Sequence, residues 1–121
     1  MKLKQVAKIL DAEAISDCDS DMDITTGCGS DLMSDVLIFA KPGSVLLSGL
    51  TNVQVVYTAS AAGIRAICFV RGKRPFEETV ELANRKSIAL LTTKLPLFEA
   101  CGRLYKKGLA GVTERGAASM K

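Results

Sequence analysis

Hydrophobic residues along this chain alternate between short unbroken runs and longer stretches with a helical period. Leu3, Val6, Ala7, Ile9 and Leu10 recur at helical spacing and predict an opening helix packed by one face, after which Ala14 and Ile15 start a strand. Residues 25–51 compress a Gly-rich turn at Gly27-Cys28-Gly29, a helix over 30–40, a stop at Lys41-Pro42-Gly43 and a buried strand at 45–47. In that helix Ser30 is the expected cap, Asp31 complements the positive N-terminal end, and Leu32, Met33, Val36, Leu37 and Ala40 form the apolar stripe. Thr51-Asn52-Val53-Gln54 matches a capping box for the next helix, whose inner face is Val53, Val56, Ala59 and Ser60 and whose end is Gly63.

The same unit then repeats. Residues 66–70 form a second buried run, and Pro75, with Glu77 and Glu78 behind it, opens a helix to about Lys86 that packs by Phe76, Val80 and Ala83. Residues 88–91 make the next strand, and Leu97, Phe98, Cys101, Leu104 and Tyr105 place a last apolar helical face between Pro96 and Gly108. Strands separated by helices pair in parallel through right-handed crossovers, with helices covering both faces. The expected fold class is therefore α/β, a three-layer α/β/α sandwich with a mainly parallel sheet. Residues 1–109 make the domain, and residues 110–121, rich in Gly, Ala and Ser without periodicity, are expected to form a flexible or subunit-contacting tail.

Composition narrows the function. At 121 residues and 48% hydrophobic content the chain is one domain. A net charge of +3 with 16 basic residues scattered among 13 acids leaves no basic track, and 5% aromatic content leaves few stacking platforms, so no nucleic-acid partner is expected. No apolar run has the length of a signal peptide or of a membrane span, so a cytoplasmic protein is expected, with no membrane partner. Cys18, Cys28, Cys68 and Cys101 include no C-x-x-C pair and His is absent, so free thiols are expected, with no metal and no cofactor.

Candidate chemistry collects at the carboxyl ends of the expected strands, where helix N-termini direct free N–H groups toward a ligand. Ser48, Thr51 and Asn52 follow one strand, Arg71, Gly72 and Lys73 the next, and Thr92 the one after, a polar and cationic rim suited to a phosphate or carboxylate. Gly27-Cys28-Gly29 does not extend to a dinucleotide fingerprint, because Leu32 stands at the last glycine position; residues 43–49 lack the Lys of a phosphate-binding loop. Asp17, Asp19, Asp21 and Asp23 alternate as in a solvated loop, and Met22 stands where a calcium loop needs Gly. Cys28 lies near a helix N-terminus that would stabilise a thiolate, but without His no nucleophile has a local base.

Three motifs carry a family resemblance: S-D-x-x-S-D-V at residues 30–36, R-G-x-x-P-x-E-E at residues 71–78 and F-E-x-x-G-R-L-Y at residues 98–105. Over most of residues 1–109 the chain resembles the DRTGG domain family, whose members are similar to the N-terminal domain of HPr kinase/phosphorylase. Of the two name-giving motifs only Gly72 is kept, and the expected Asp-Arg position near residues 49–51 carries no charge. The resemblance implies an HPr kinase N-terminal-domain-like fold and no catalysis. It also implies a regulatory role beside nucleotide-binding CBS modules, and contribution to dimer contacts. The expected function is a non-catalytic regulatory or interaction domain that senses a small phosphorylated metabolite or nucleotide as a homodimer. The alternative is an accessory protein of an iron–sulfur hydrogenase-type redox system, with a redox enzyme as partner.

Overall fold

Three runs with no polar interruption set the middle of the sheet. In the computed structural model, which describes residues 1–113, these are β3 (Val45–Ser48), β4 (Ala66–Phe69) and β5 (Ala89–Thr92), each buried at all four positions. Burial on both faces is what continuous apolar strands require. Around them stand β1 (Glu13–Ala14), β2 (Thr26–Gly29) and β6 (Ala110–Gly111). The strand order is β1-β5-β4-β3-β2-β6, parallel throughout except that β1 pairs antiparallel with β5.

Among the described residues five helices cover the sheet: α1 (Leu3–Leu10), α2 (Met33–Phe39), α3 (Val53–Ala62), α4 (Glu77–Arg85) and α5 (Leu97–Lys106). From β2 to β5 the chain steps one strand at a time in one direction, so a constant crossover hand puts α2, α3 and α4 on one face. There Val36, Val55, Val56, Ala59, Leu82 and Ala83 bury Leu46, Ile67, Phe69 and Leu90. After β5 the chain returns across the other face through α5 and lands as β6 beyond β2. Leu3, Val6 and Leu10 of α1 and Ala100 and Leu104 of α5 cover the alternate strand positions Val45, Leu47, Ala66, Cys68, Ala89 and Leu91. The three-layer α/β sandwich expected from the sequence is the fold observed.

Several local expectations are corrected. Gly27-Cys28-Gly29 is strand, not turn. Glycine makes room there for α5 and the turn after it: a Cβ on Gly29 would stand 2.5 Å from Cys101 Sγ on α5, and one on Gly27 3.2 Å from Cδ2 of Leu109 in the following turn. Ser30 does not cap α2, which starts at Met33 with Leu32 at its N-cap; its Oγ instead accepts the Leu32 N–H at 3.0 Å. The cap of α3 is Asn52 rather than Thr51, its side chain accepting the Val55 N–H at 3.3 Å.

Side-chain facing also departs from the spacing. Ser60, placed on the inner face of α3, is exposed, and Val55 and Thr58 are buried in its stead. Phe76 is 84% exposed because it precedes α4 as its N-cap, leaving Thr79, Leu82 and Ala83 to face the sheet. Phe98 and Tyr105 are exposed since α5 rests on Ala100 and Leu104, and Leu37 is exposed because α2 is anchored by Val36. Residues 110 and 111, assigned to the tail, pair with β2 as β6; the tail from residue 114 onward lies outside the described residues. The four alternating carboxylates stand exposed in a loop, as expected, where Asp23 pairs with Lys2 at 2.8 Å, Asp21 pairs with Lys4 at 2.9 Å and Asp19 Oδ1 accepts the Asp21 N–H at 3.0 Å.

Burial in the centre of the sheet pushes the Cys68 thiol up to about 12, against an ordinary value near 9. Between those two values the folded thiol keeps the proton that the unfolded one has lost, so its contribution to stability falls as the pH rises through that window. In native protein at pH 8, Cys68 should be the last thiol to react with a small maleimide, and its labelling should follow global unfolding in urea, as peptide mass mapping would record. Labelling of Cys68 as fast as that of half-buried Cys18 would contradict this packing.

Candidate functional site

Parallel strands that end together bring their following loops together, and the loops after β2, β3, β4 and β5 meet at one end of the sheet. At the end of β3, Ser48 is fully buried and donates its hydroxyl to Asp31 Oδ1 at 2.9 Å, while the Gly49 N–H donates to the same oxygen at 2.7 Å. The Ser48 Oγ in turn accepts the Leu50 N–H at 3.1 Å. Asp31, expected only to complement a helix end, thus reaches from the loop after β2 and ties off the turn between β3 and α3.

At the end of β4 the turn is strained. Arg71 has φ 58° and Gly72 φ 68°, and for Arg a left-handed backbone is unfavourable, by roughly 1 kcal/mol or more. Two hydrogen bonds hold it, from the Arg71 N–H to the Leu95 carbonyl at 2.9 Å and from the Gly72 N–H to the Thr93 carbonyl at 2.7 Å. The turn places Arg71 Nη2 3.3 Å, and Asp31 Oδ2 3.5 Å, from the point a Gly49 Cβ would occupy, so a side chain at Gly49 would fill the space between the two charges. Lys73 Nζ donates to the Gly49 carbonyl at 3.1 Å, and Thr92 Oγ1 to the Lys73 carbonyl at 2.7 Å.

Five of the seven rim residues therefore join through named contacts or a shared cavity, Ser48, Arg71, Gly72, Lys73 and Thr92, whereas Asn52 bonds only within its own helix. Thr51 stands half-buried between Leu50 and the Asn52 cap. Much of the donor capacity is committed within the chain, Ser48 to Asp31, Asn52 to its own helix and Lys73 to Gly49. The Arg71 guanidinium makes no hydrogen bond or ion pair with another described residue. A cavity of about 180 Å³ continues the rim toward β1, lined by Gly72, Thr92, Thr93, Arg74 and Lys94 with Asp11 and Glu13, and Arg74 is hydrogen-bonded to Glu13 across it.

Asp31 is the residue that sequence reasoning missed. Its signal was present in the S-D-x-x-S-D-V motif, but a carboxylate before a helix reads first as a dipole partner. At Cys28 burial, and then the Asp35 carboxylate, push the thiol above the ordinary range, opposite to the activation a helix N-terminus would give; burial also raises Cys101, with Cys28 adding to it. Among the described residues no group of three or more His, Cys, Asp or Glu could hold a metal ion, and no helix is long and apolar enough to cross a membrane.

With this geometry in place, comparison with solved structures is informative. The chain superposes, with a TM-score of 0.67 and 19% identity over 90% of its length, on a crystal structure of the CBS and DRTGG domains of the regulatory region of Clostridium perfringens pyrophosphatase complexed with its activator, diadenosine tetraphosphate. It spans 47% of that chain, about half its length. At this identity the likeness is one of fold: the chain shares an α/β fold with part of that CBS and DRTGG region, in agreement with the resemblance to the DRTGG family. No family model and no curated protein matches the sequence.

Asp31 is predicted to hold the rim together. Asp31→Ala leaves the buried Ser48 hydroxyl and the Gly49 N–H without their acceptor and should lower unfolding free energy by about 1–3 kcal/mol in urea titrations. Asp31→Asn keeps one acceptor oxygen and should cost less. Equal stability of Asp31→Ala and wild type would show that these hydrogen bonds are replaced by water without loss.

Proposed function

We propose that this chain is a non-catalytic regulatory domain that senses a small phosphorylated ligand or nucleotide at the strand ends and works as a homodimer. The observation that carries the reading is the Arg71-Gly72-Lys73 turn, strained in its backbone and held over Ser48, Gly49 and Asp31. Strain of this kind persists where surroundings enforce it, and it recurs at ligand clamps. The location supports the reading too. The chain leaves β2 toward β3 over one face and returns to β6 over the other, which makes the carboxyl end of β2 the reversal point at which open α/β sheets take ligands.

Asp31 sits at that point and already receives a hydroxyl and a backbone N–H, the donors that a phosphate oxygen would receive. In this reading a phosphate competes with the Asp31 carboxylate for Ser48 and Gly49, while the Arg71 guanidinium supplies the charge. The fold neighbour is the regulatory region of an enzyme and is bound to a nucleotide activator, which supports a regulatory, ligand-sensing role. Absence of His, and the raised thiols of Cys28, Cys68 and Cys101, support a domain without chemistry of its own. No finding favours the redox-accessory alternative.

The test is a thermal-shift series with pyrophosphate, AMP and ATP. A ligand present at ~100 times its Kd should stabilise the wild type by about 2.7 kcal/mol. Arg71→Ala combined with Lys73→Ala should abolish the shift and leave the unliganded melting temperature nearly unchanged, because exposed charges contribute little to folding. A full ligand shift in the double variant, or no shift with any phosphate-bearing probe in the wild type, contradicts the proposal.

A further inference from the structure

The two edges of the sheet are built differently. At the β1 edge, Glu13 is bonded to Arg74 and Asp11 stands close by, so charge guards the unpaired backbone. At the other edge β6 has only two residues, and it pairs with β2 only at Thr26 and Gly27. Among the described residues no strand therefore stands beside the outer backbone of Cys28 and Gly29, and neither β2 nor β6 carries a charge, a Pro or a side chain larger than Thr. An edge without such protection is a template for pairing.

Both helices that flank this edge expose large apolar side chains beside their charged ones. On one face α2 exposes Leu37, Ile38 and Phe39, with Leu32 at its N-cap; on the other α5 exposes Phe98 and Tyr105, Phe98 at 87% and Ile38 at 71%. Between α5 and the edge lies a groove of about 320 Å³, floored by Gly27 and Gly29 and walled by Leu104, Leu109 and Phe98. Gly102 and Gly111 also line it, yet a Cβ at either would meet no atom of a described residue within 4 Å. Packing among the described residues does not call for glycine there, and inside α5 a glycine is unfavourable, so both positions leave room for close approach by another backbone.

We propose that the β2–β6 edge, with α2 and α5, is the surface through which two copies of this chain associate. This rests on the homodimer reading above and assigns its interface. Three arguments favour a second copy as the occupant. Taking aromatic and large aliphatic side chains at roughly 180 Å² each, the six exposed residues present on the order of 700 Å² of apolar surface, close to the ~800 Å² that each partner of a standard interface buries. A twofold interface must be self-complementary, and this patch carries both a projecting ring, Phe98, and a groove wide enough to receive one. Asp35 on α2 and Arg103 and Lys106 on α5 leave the surroundings mixed in sign, so copies are not repelled.

The full chain is measured by sedimentation equilibrium at tens of micromolar, where twice the 12.9 kDa chain mass is expected. Phe98→Glu and Ile38→Glu should each weaken association on the order of 100-fold, as loss of a central apolar anchor does. Phe76→Glu, equally exposed but on the start of α4, should leave it intact. In wild-type protein, amide exchange in residues 98–111 should slow as concentration rises through the dimer transition, while α4 stays constant; this arm holds even if a charged variant fails to fold. A monomeric wild type overturns the homodimer reading itself. A dimeric wild type whose residues 98–111 show no concentration-dependent protection, or whose two edge variants remain dimers, overturns this interface and leaves that reading standing.

Discussion

Four parallel strands that end at one level must pass the chain into helices within a few residues, and the rest of the molecule answers to that constraint. Backbone groups at the strand ends leave the sheet ladder before any helix can take them up, so each needs a local partner. Asp31 supplies one for β3, Asn52 caps α3, and the loop between β5 and α5 accepts the amides of the Arg71-Gly72 turn. Every one of these solutions puts a polar or charged group at the same end of the sheet. A rim with directional donors and a raised density of charge is thus a consequence of the fold before it is a ligand site.

Asymmetry between the edges follows from the same topology. Because α5 carries the chain back across one face, the sheet gains a last strand at the far edge, and β6 is only two residues long. Room for α5 comes from Gly29, whose missing side chain lets Cys101 and Leu97 approach β2, and room for the turn after it from Gly27, beside Leu109. The same glycines leave a shallow apolar groove beside an uncharged edge. At the opposite edge β1 runs antiparallel and brings Glu13 to Arg74, so that end of the sheet is closed by charge.

Much of this was legible in the residues. Continuous apolar runs gave away β3, β4 and β5, because burial on both faces leaves no polar position to break the run, and Gly63 at φ 73° marked the end of α3. What misled was local resemblance between different physical uses of one residue type. Glycines in β2 look like a turn because the reason for them, α5, lies some seventy positions away in the chain. Phe76, Phe98 and Tyr105 fall in apolar patterns that spacing assigns to a core, whereas registration of the helices on the sheet turns them outward. Of the site, the cationic turn and its neighbours on β3 and β5 could be placed from strand ends alone. The strain at Arg71 and the reach of Asp31 to Ser48 depend on tertiary contacts that no local pattern encodes.

Amide chemical shifts of isotope-labelled protein, followed through a titration with pyrophosphate, test the strand-end account most directly. The account requires the Gly49, Leu50 and Gly72 resonances to move together and to saturate at a common concentration, since the anion would take over the donors now held by Asp31 and would face the strained turn. Resonances at those three positions that stay fixed, with changes confined to the acidic loop at residues 17–23 or found nowhere, would contradict it.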